Sequence, residues 1–133
     1  MNEFLQTQMQ KLGCGQPPSR NEYYKLISEI DFPIDSTFLE WIEVCSQAEG
    51  PMSSRTYIQF WKIDDILTLN PYYKDLEAAN RLFFFGSDGS SLGYAFDKEN
   101  GNVVAIDFID IGIADPVILG GSFVEFMENL ARE

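Results

Sequence analysis

Arg81-Leu82-Phe83-Phe84-Phe85-Gly86-Ser87-Asp88-Gly89-Ser90-Ser91-Leu92-Gly93-Tyr94-Ala95-Phe96-Asp97-Lys98-Glu99-Asn100-Gly101-Asn102-Val103-Val104-Ala105-Ile106-Asp107-Phe108-Ile109 holds three apolar runs separated by two turns. The run ending in Leu82 to Phe85 does not alternate with polar residues, which predicts a central strand covered on both faces. Gly86 to Ser91 is turn chemistry, and Leu92 to Asp97 reads as the next strand. Asn100-Gly101 matches a tight hairpin turn that needs positive φ, so Asn102 to Ile109 returns antiparallel.

Upstream of this block the periodicity is helical. Phe4, Leu5, Met9 and Leu12 share one face of a short helix over Asn2 to Leu12, stopped by Gly13. Ser19 and Glu22 form a capping-box pattern ahead of Tyr23, Leu26, Ile27 and Ile30. Thr37 and Glu40 repeat that spacing before Phe38, Trp41, Ile42 and Cys45, and this third helix is expected to end near Glu49-Gly50. Tyr57, Ile58, Phe60 and Trp61 favour a strand. A helical turn over Ile63 to Leu69 is expected to close at Asn70-Pro71, leaving Tyr72-Tyr73 in a loop. Asp75 to Asn80 fits helix or loop.

Downstream, Ile111 to Leu119 contains Gly112 and Pro116 and reads as an edge strand or extended connection. Ser122 and Glu125 give another capping box, with Phe123, Phe126, Met127 and Leu130 on one face of a closing helix. The prediction is therefore an α+β domain: N-terminal helices, a central antiparallel sheet of about four to six strands, and a C-terminal helix packed on the sheet. At 133 residues one domain is expected, with residues 1–18 as an N-terminal helical extension and a core over about 19–130.

A chain that is 45% hydrophobic with 11 Phe, 6 Tyr and 2 Trp is too apolar for a disordered acidic tail. Its net charge of −12 is unevenly placed. No Lys or Arg falls between Lys25 and Arg55, where Glu29, Asp31, Asp35, Glu40, Glu43 and Glu49 occur, and none between Lys98 and Arg132. Such a surface repels phosphate backbones, which argues against direct nucleic-acid binding, and it steers a basic protein partner. The competing reading is that acidic excess only confers solubility.

The amino terminus lacks a basic region followed by an apolar run, so no signal peptide or membrane span is expected and the cytoplasm is the default location. Cys14 and Cys45 are too few for a disulfide framework. Cys45 reads as a small core residue, and Cys14, with no His in the chain to activate it, as structural or incidental.

The order of these elements and their local residues resembles the SUKH superfamily, over about Ser19 to Leu130. Phe32-Pro33, Phe38-Leu39-Glu40-Trp41 and Glu49-Gly50 look like its proline, helix and glycine segment. Ile58 to Ile66, through Asn70, resembles its strand, tryptophan and short-helix segment. Phe84-Phe85-Gly86-Ser87-Asp88-Gly89 running into Tyr94-Ala95-Phe96-Asp97 is the most specific part, and Ser122 to Phe126 resembles the closing helix. Ser90-Ser91-Leu92 and Gly120-Gly121 depart from the family's loops. The resemblance implies a non-catalytic bacterial immunity protein that binds and neutralises a toxin, many such toxins being nucleases. A regulatory or scaffolding module for an endogenous partner is the alternative, because the same domain occurs in a fungal cell-wall regulator.

The residues weigh against chemistry. Asp64-Asp65, Asp88 with Asp97, and Asp107 with Asp110 are possible carboxylate pairs, but adjacent helix positions diverge, and Asp88 and Asp97 suit turns. Asp97 to Gly101 lacks the alternating ligands and distal Glu of a calcium loop. Gly86, Gly89 and Gly93 precede a strand, unlike a nucleotide fingerprint. No catalytic residue, metal ligand or cofactor is assigned. Trp41 and Trp61 are assigned to packing. The partner-binding candidates are the acids Glu43, Glu49, Asp64, Asp65 and Asp88 with the tyrosines Tyr72 and Tyr73, Tyr57 lying nearby in sequence.

Overall fold

The computed structural model describes residues 1–77, 79–112 and 115–132. In order along the chain it forms α1 (Glu3–Leu12), α2 (Arg20–Glu29), α3 (Ser36–Val44), β1 (Glu49–Pro51), β2 (Tyr57–Phe60), α4 (Ile63–Lys74), β3 (Leu82–Ser87), β4 (Leu92–Asp97), β5 (Val103–Asp107), β6 (Val117–Gly120) and α5 (Phe123–Arg132). The six strands are neighbours in sequence order, and every pair is antiparallel. The α+β architecture is therefore as anticipated, with helices leading, the sheet central and α5 packed on it.

Burial on both faces of β3 follows from its unbroken apolar run. Phe83 and Phe85 point into the main core with Phe38, Trp41, Phe60, Phe123 and Phe126, while Leu82 and Phe84 join Ala95, Val104 and Ile106 in a second cluster on the opposite face. Trp61, Tyr73, Phe108 and Ile111 cover that second face. Phe108 lies so close over Gly93 that a side chain there would collide with its ring. Both tryptophans pack as expected, Trp41 fully buried and Trp61 stacked on Phe84 and Phe108.

Helix termini are set by local chemistry. Ser19 accepts from the Glu22 amide while Glu22 returns a bond to the Ser19 amide, completing the anticipated capping box. Ser122 accepts from the Glu125 amide, but the Glu125 carboxylate reaches back to the Gly121 amide. At α3 the cap is Asp35, not Thr37: its Oδ1 accepts from Thr37 N and its Oδ2 from Phe123 N, so one carboxylate caps α3 and ties it to the start of α5. The helix ends at Val44, earlier than Glu49-Gly50, and Glu49 to Pro51 instead pair with β2.

Pro71 does not end α4, which runs on to Lys74 and carries Tyr72 and Tyr73 on its last turn. Asn70 explains this. Its amide donates to Ile66 O and to Phe84 O, and its Oδ1 accepts from Phe84 N at 2.7 Å. The side chain thus stands in for a neighbouring strand where β2 has ended and pins the helix against β3. The β4–β5 turn is wider than a two-residue hairpin: Asp97 N bonds Asn102 O, Gly101 N bonds Asp97 O, and only Gly101 of the Asn-Gly pair has positive φ, at 78°. Within Ile111 to Leu119, β6 begins only at Val117, and residues 113 and 114 lie outside the described residues, as does residue 78 of the Asp75 to Asn80 segment.

The cysteines correct the sequence reading. Cys14 and Cys45 form a disulfide, with Cα atoms 5.0 Å apart, joining the α1–α2 connection to the end of α3. Gly15 N bonds Ser46 O beside it. Together with buried Leu5 and Leu12, this fastens residues 1–18 into the same core as the rest of the chain. Such a bond persists in oxidising compartments and is opened in a reducing cytoplasm, so it pulls against the default location.

Candidate functional site

The sheet's helix-covered face is left open at one end, between the β1–β2 hairpin, the β3–β4 turn, β6 and the last turn of α5. Leu92, Tyr94, Ala105, Val117, Leu119 and Leu130 form the apolar part of a cleft of about 470 Å³ there. Strand alternation explains this lining: Leu92 and Tyr94 alternate on β4, while Ala105 and Asp107 alternate on β5. Around it stand Arg55, Thr56, Tyr57, Asp88, Asp107 and Asp115, so three carboxylates face one guanidinium.

Each wall is held by specific bonds. Thr56 Oγ1 donates to Leu130 O at 2.6 Å, clamping β2 to the end of α5. Tyr94 donates its hydroxyl to Tyr57 O at 3.1 Å, and its ring packs edge-on against Phe126. Tyr57 donates to Glu49 Oε2 at 2.6 Å, and Gly89 sits against its ring. That hydrogen bond, aided by partial burial and the charge of Glu49, raises the Tyr57 hydroxyl above its usual pKa. Asp88 Oδ1 accepts from the amides of Ser90 and Leu92, which shapes the turn at the border of the cleft.

Of the seven partner-binding candidates, Asp88 borders the cleft with Tyr57, and Glu49 is tied to it through the Tyr57 hydroxyl. The others lie elsewhere. Glu43 is exposed on α3 beside Tyr23, whose hydroxyl is raised first by burial and then by the charge of Glu43. Asp64 and Asp65 occupy the first turn of α4, where carboxylates suit the helix dipole, and Asp64 borders a shallow groove with Lys25, Glu29 and Thr68. Tyr73 packs on Phe84 and Phe108, and burial raises its pKa, so it belongs to the sheet's outer cluster. Tyr72 meets Tyr73 edge-on and is 70% exposed.

Asp97, weighed with Asp88 as a carboxylate pair, is buried and accepts from Glu99 N and Asn100 Nδ2, with Arg81 Nε 3.4 Å away. It is a turn anchor. Asp107 and Asp115 were not among the candidates, and their shared position follows from register: Ala105 lies opposite Val117, and each carboxylate is two residues further along the same face. The alternation in β5 signals Asp107, but the long connection to β6 hides its neighbour. Among the described residues no group of three or more His, Cys, Asp or Glu could hold a metal ion, and no helix is long and apolar enough to cross a membrane. No family model matches the chain, and no curated protein matches it.

Proposed function

We propose that this chain is a non-catalytic protein-binding domain, an immunity protein of the SUKH kind, that neutralises a basic toxin domain by occupying it. The observation that carries the reading is the cleft: an apolar lining edged by Asp88, Asp107 and Asp115 against Arg55 alone. Such a site suits a lysine or arginine whose aliphatic stem lies on Leu92 and Val117 while its charged head meets carboxylates. The Glu49–Tyr57 pair extends the negative field to the hairpin beside it.

Most of the segments that carry the family resemblance take the element each suggests, the exception being Glu49-Gly50, which lies in β1 and not at the end of α3. Phe38 to Trp41 lie in α3, and Ile58 to Phe60 form β2, with Trp61 leading into α4. Phe84 to Gly89 run from β3 into the turn before β4, and Phe123 opens α5. Gly50 and Gly86 hold positions with little room for a side chain: a Cβ on Gly50 would lie 3.1 Å from Leu12, and one on Gly86 2.8 Å from Gln59 O.

The test uses the product of any large toxin-like reading frame beside this gene. Its association with this protein is expected to slow by roughly tenfold between about 50 and 500 mM salt, since exposed opposite charges steer the encounter and are screened. An association rate indifferent to salt would remove the electrostatic basis of the proposal.

A further inference from the structure

The two edges of the sheet are treated differently. β1 is only three residues long, contains Pro51, and packs under α1, with Gly50 against Leu12. Those are the usual means of blocking an edge strand. β6, at the other edge, pairs with β5 on one side and with no strand on the other among the described residues. Its adjacent β-branched residues Val117 and Ile118 are 61% and 64% exposed, and neither charge nor proline interrupts the strand. Pro116 before it offers no amide, and the Leu119 carbonyl is taken by Asn129 Nδ2 at 2.7 Å, so the open stretch centres on these two residues.

We propose that β6 is a docking strand, to which an extended segment of a basic protein partner adds as a seventh strand. The inference rests on the protein-binding reading above and names the mode of contact. A residue added beside Val117 shares its face and therefore projects over the cleft, as Ala105 does from the other side. Asp115 precedes Val117 by two residues, an offset of roughly 7 Å along the chain, and Asp107 stands at the same level one strand further in, on β5. A long lysine or arginine side chain there extends over the cleft towards Asp115, with Asp107 behind it, and the neighbouring residues of the added segment cover Ile118 on the opposite face. Charge decides against a second copy of this chain. Two such edges brought together would appose two sets of Asp107, Asp110 and Asp115, with no Lys or Arg between Lys98 and Arg132 in either copy.

The experiment titrates the isotope-labelled protein with an eight-residue peptide of alternating lysine and valine, with an alternating glutamate and valine peptide alongside. The lysine peptide is expected to shift the amides of Val117, Ile118 and Leu119 and slow their hydrogen exchange, and the glutamate peptide to leave them unmoved. Val117→Lys with Ile118→Lys, both exposed sites, should weaken peptide binding at least tenfold with an unchanged melting temperature. Asp107→Asn with Asp115→Asn, which leaves the edge intact, should weaken it by about tenfold. Shifts confined to the Asp64 to Tyr73 helix would overturn strand addition while leaving protein binding in place, and equal binding of both peptides would overturn the charge pairing. A lysine peptide that moves no amide, while the toxin-like protein binds the wild type, also overturns strand addition; failure of that protein to bind the wild type counts against the broader reading.

Discussion

Phe85→Ala is expected to lower the unfolding free energy by about 4 kcal/mol and the melting temperature by roughly 15 °C. Phe85 is fully buried, and its ring meets those of Phe38, Phe60, Phe96, Phe123 and Phe126 at centroid distances of 5.1 to 6.3 Å. It therefore links α3, three strands and α5 in one contact set, and truncation leaves a cavity that no single neighbour can fill. Phe85→Leu retains most of the volume and should cost about 1.5 kcal/mol. Denaturant titration of both variants reads the difference; equal midpoints would mean that these rings do not organise the core. The consequence reaches the cleft, because Phe126 touches both Phe85 and Tyr94.

Opening the Cys14–Cys45 bond is expected to cost about 3.5 kcal/mol, from the freedom that an unfolded chain regains when a loop of this length is released. The cysteines are 31 residues apart, and the closed loop contains all of α2. Cys14→Ser with Cys45→Ala removes the bond without burying a new hydroxyl, since Cys14 is exposed and Cys45 buried. The variant and the dithiol-reduced wild type should unfold at the same lowered denaturant concentration. An unshifted midpoint on reduction would mean that α1 is held by Leu5 and Leu12 alone.

How far the sequence could be read depended on whether the cause was local. The β3–β4–β5 block was legible because burial on both faces leaves no alternation in Leu82 to Phe85, and because Gly89 and Gly101 mark turns where φ is positive. The Ser19 cap was legible for the same reason: both partners lie within four residues. The end of α4 was not. Pro71 is a local stop signal, and it is overridden by Asn70 bonding to Phe84, fourteen residues away. Asp35 outcompetes Thr37 as a cap while also reaching Phe123, a partner with no local signature.

The candidate site divides along the same line. Acidic excess pointed to Glu49 and Asp88, and Tyr57 was noted only for its place in sequence; Tyr57 bonds Glu49, and Tyr57 and Asp88 border the same cleft. Tyr72 and Tyr73 were grouped by adjacency, yet helical geometry gives one to solvent and the other to the sheet's outer cluster. Asp107 and Asp115 share a cleft only because β5 and β6 pair in one register, and their eight-residue spacing carries no trace of that.

Binding and turnover differ most plainly in stoichiometry. Increasing amounts of this protein are added to a fixed amount of the toxin-like neighbour, whose own activity is followed. Residual activity should fall in proportion to the protein added and vanish near molar equivalence, with the toxin recovered chemically unaltered and active after high-salt separation. Complete inactivation by a small fraction of an equivalent, leaving a covalently changed toxin, would contradict the account.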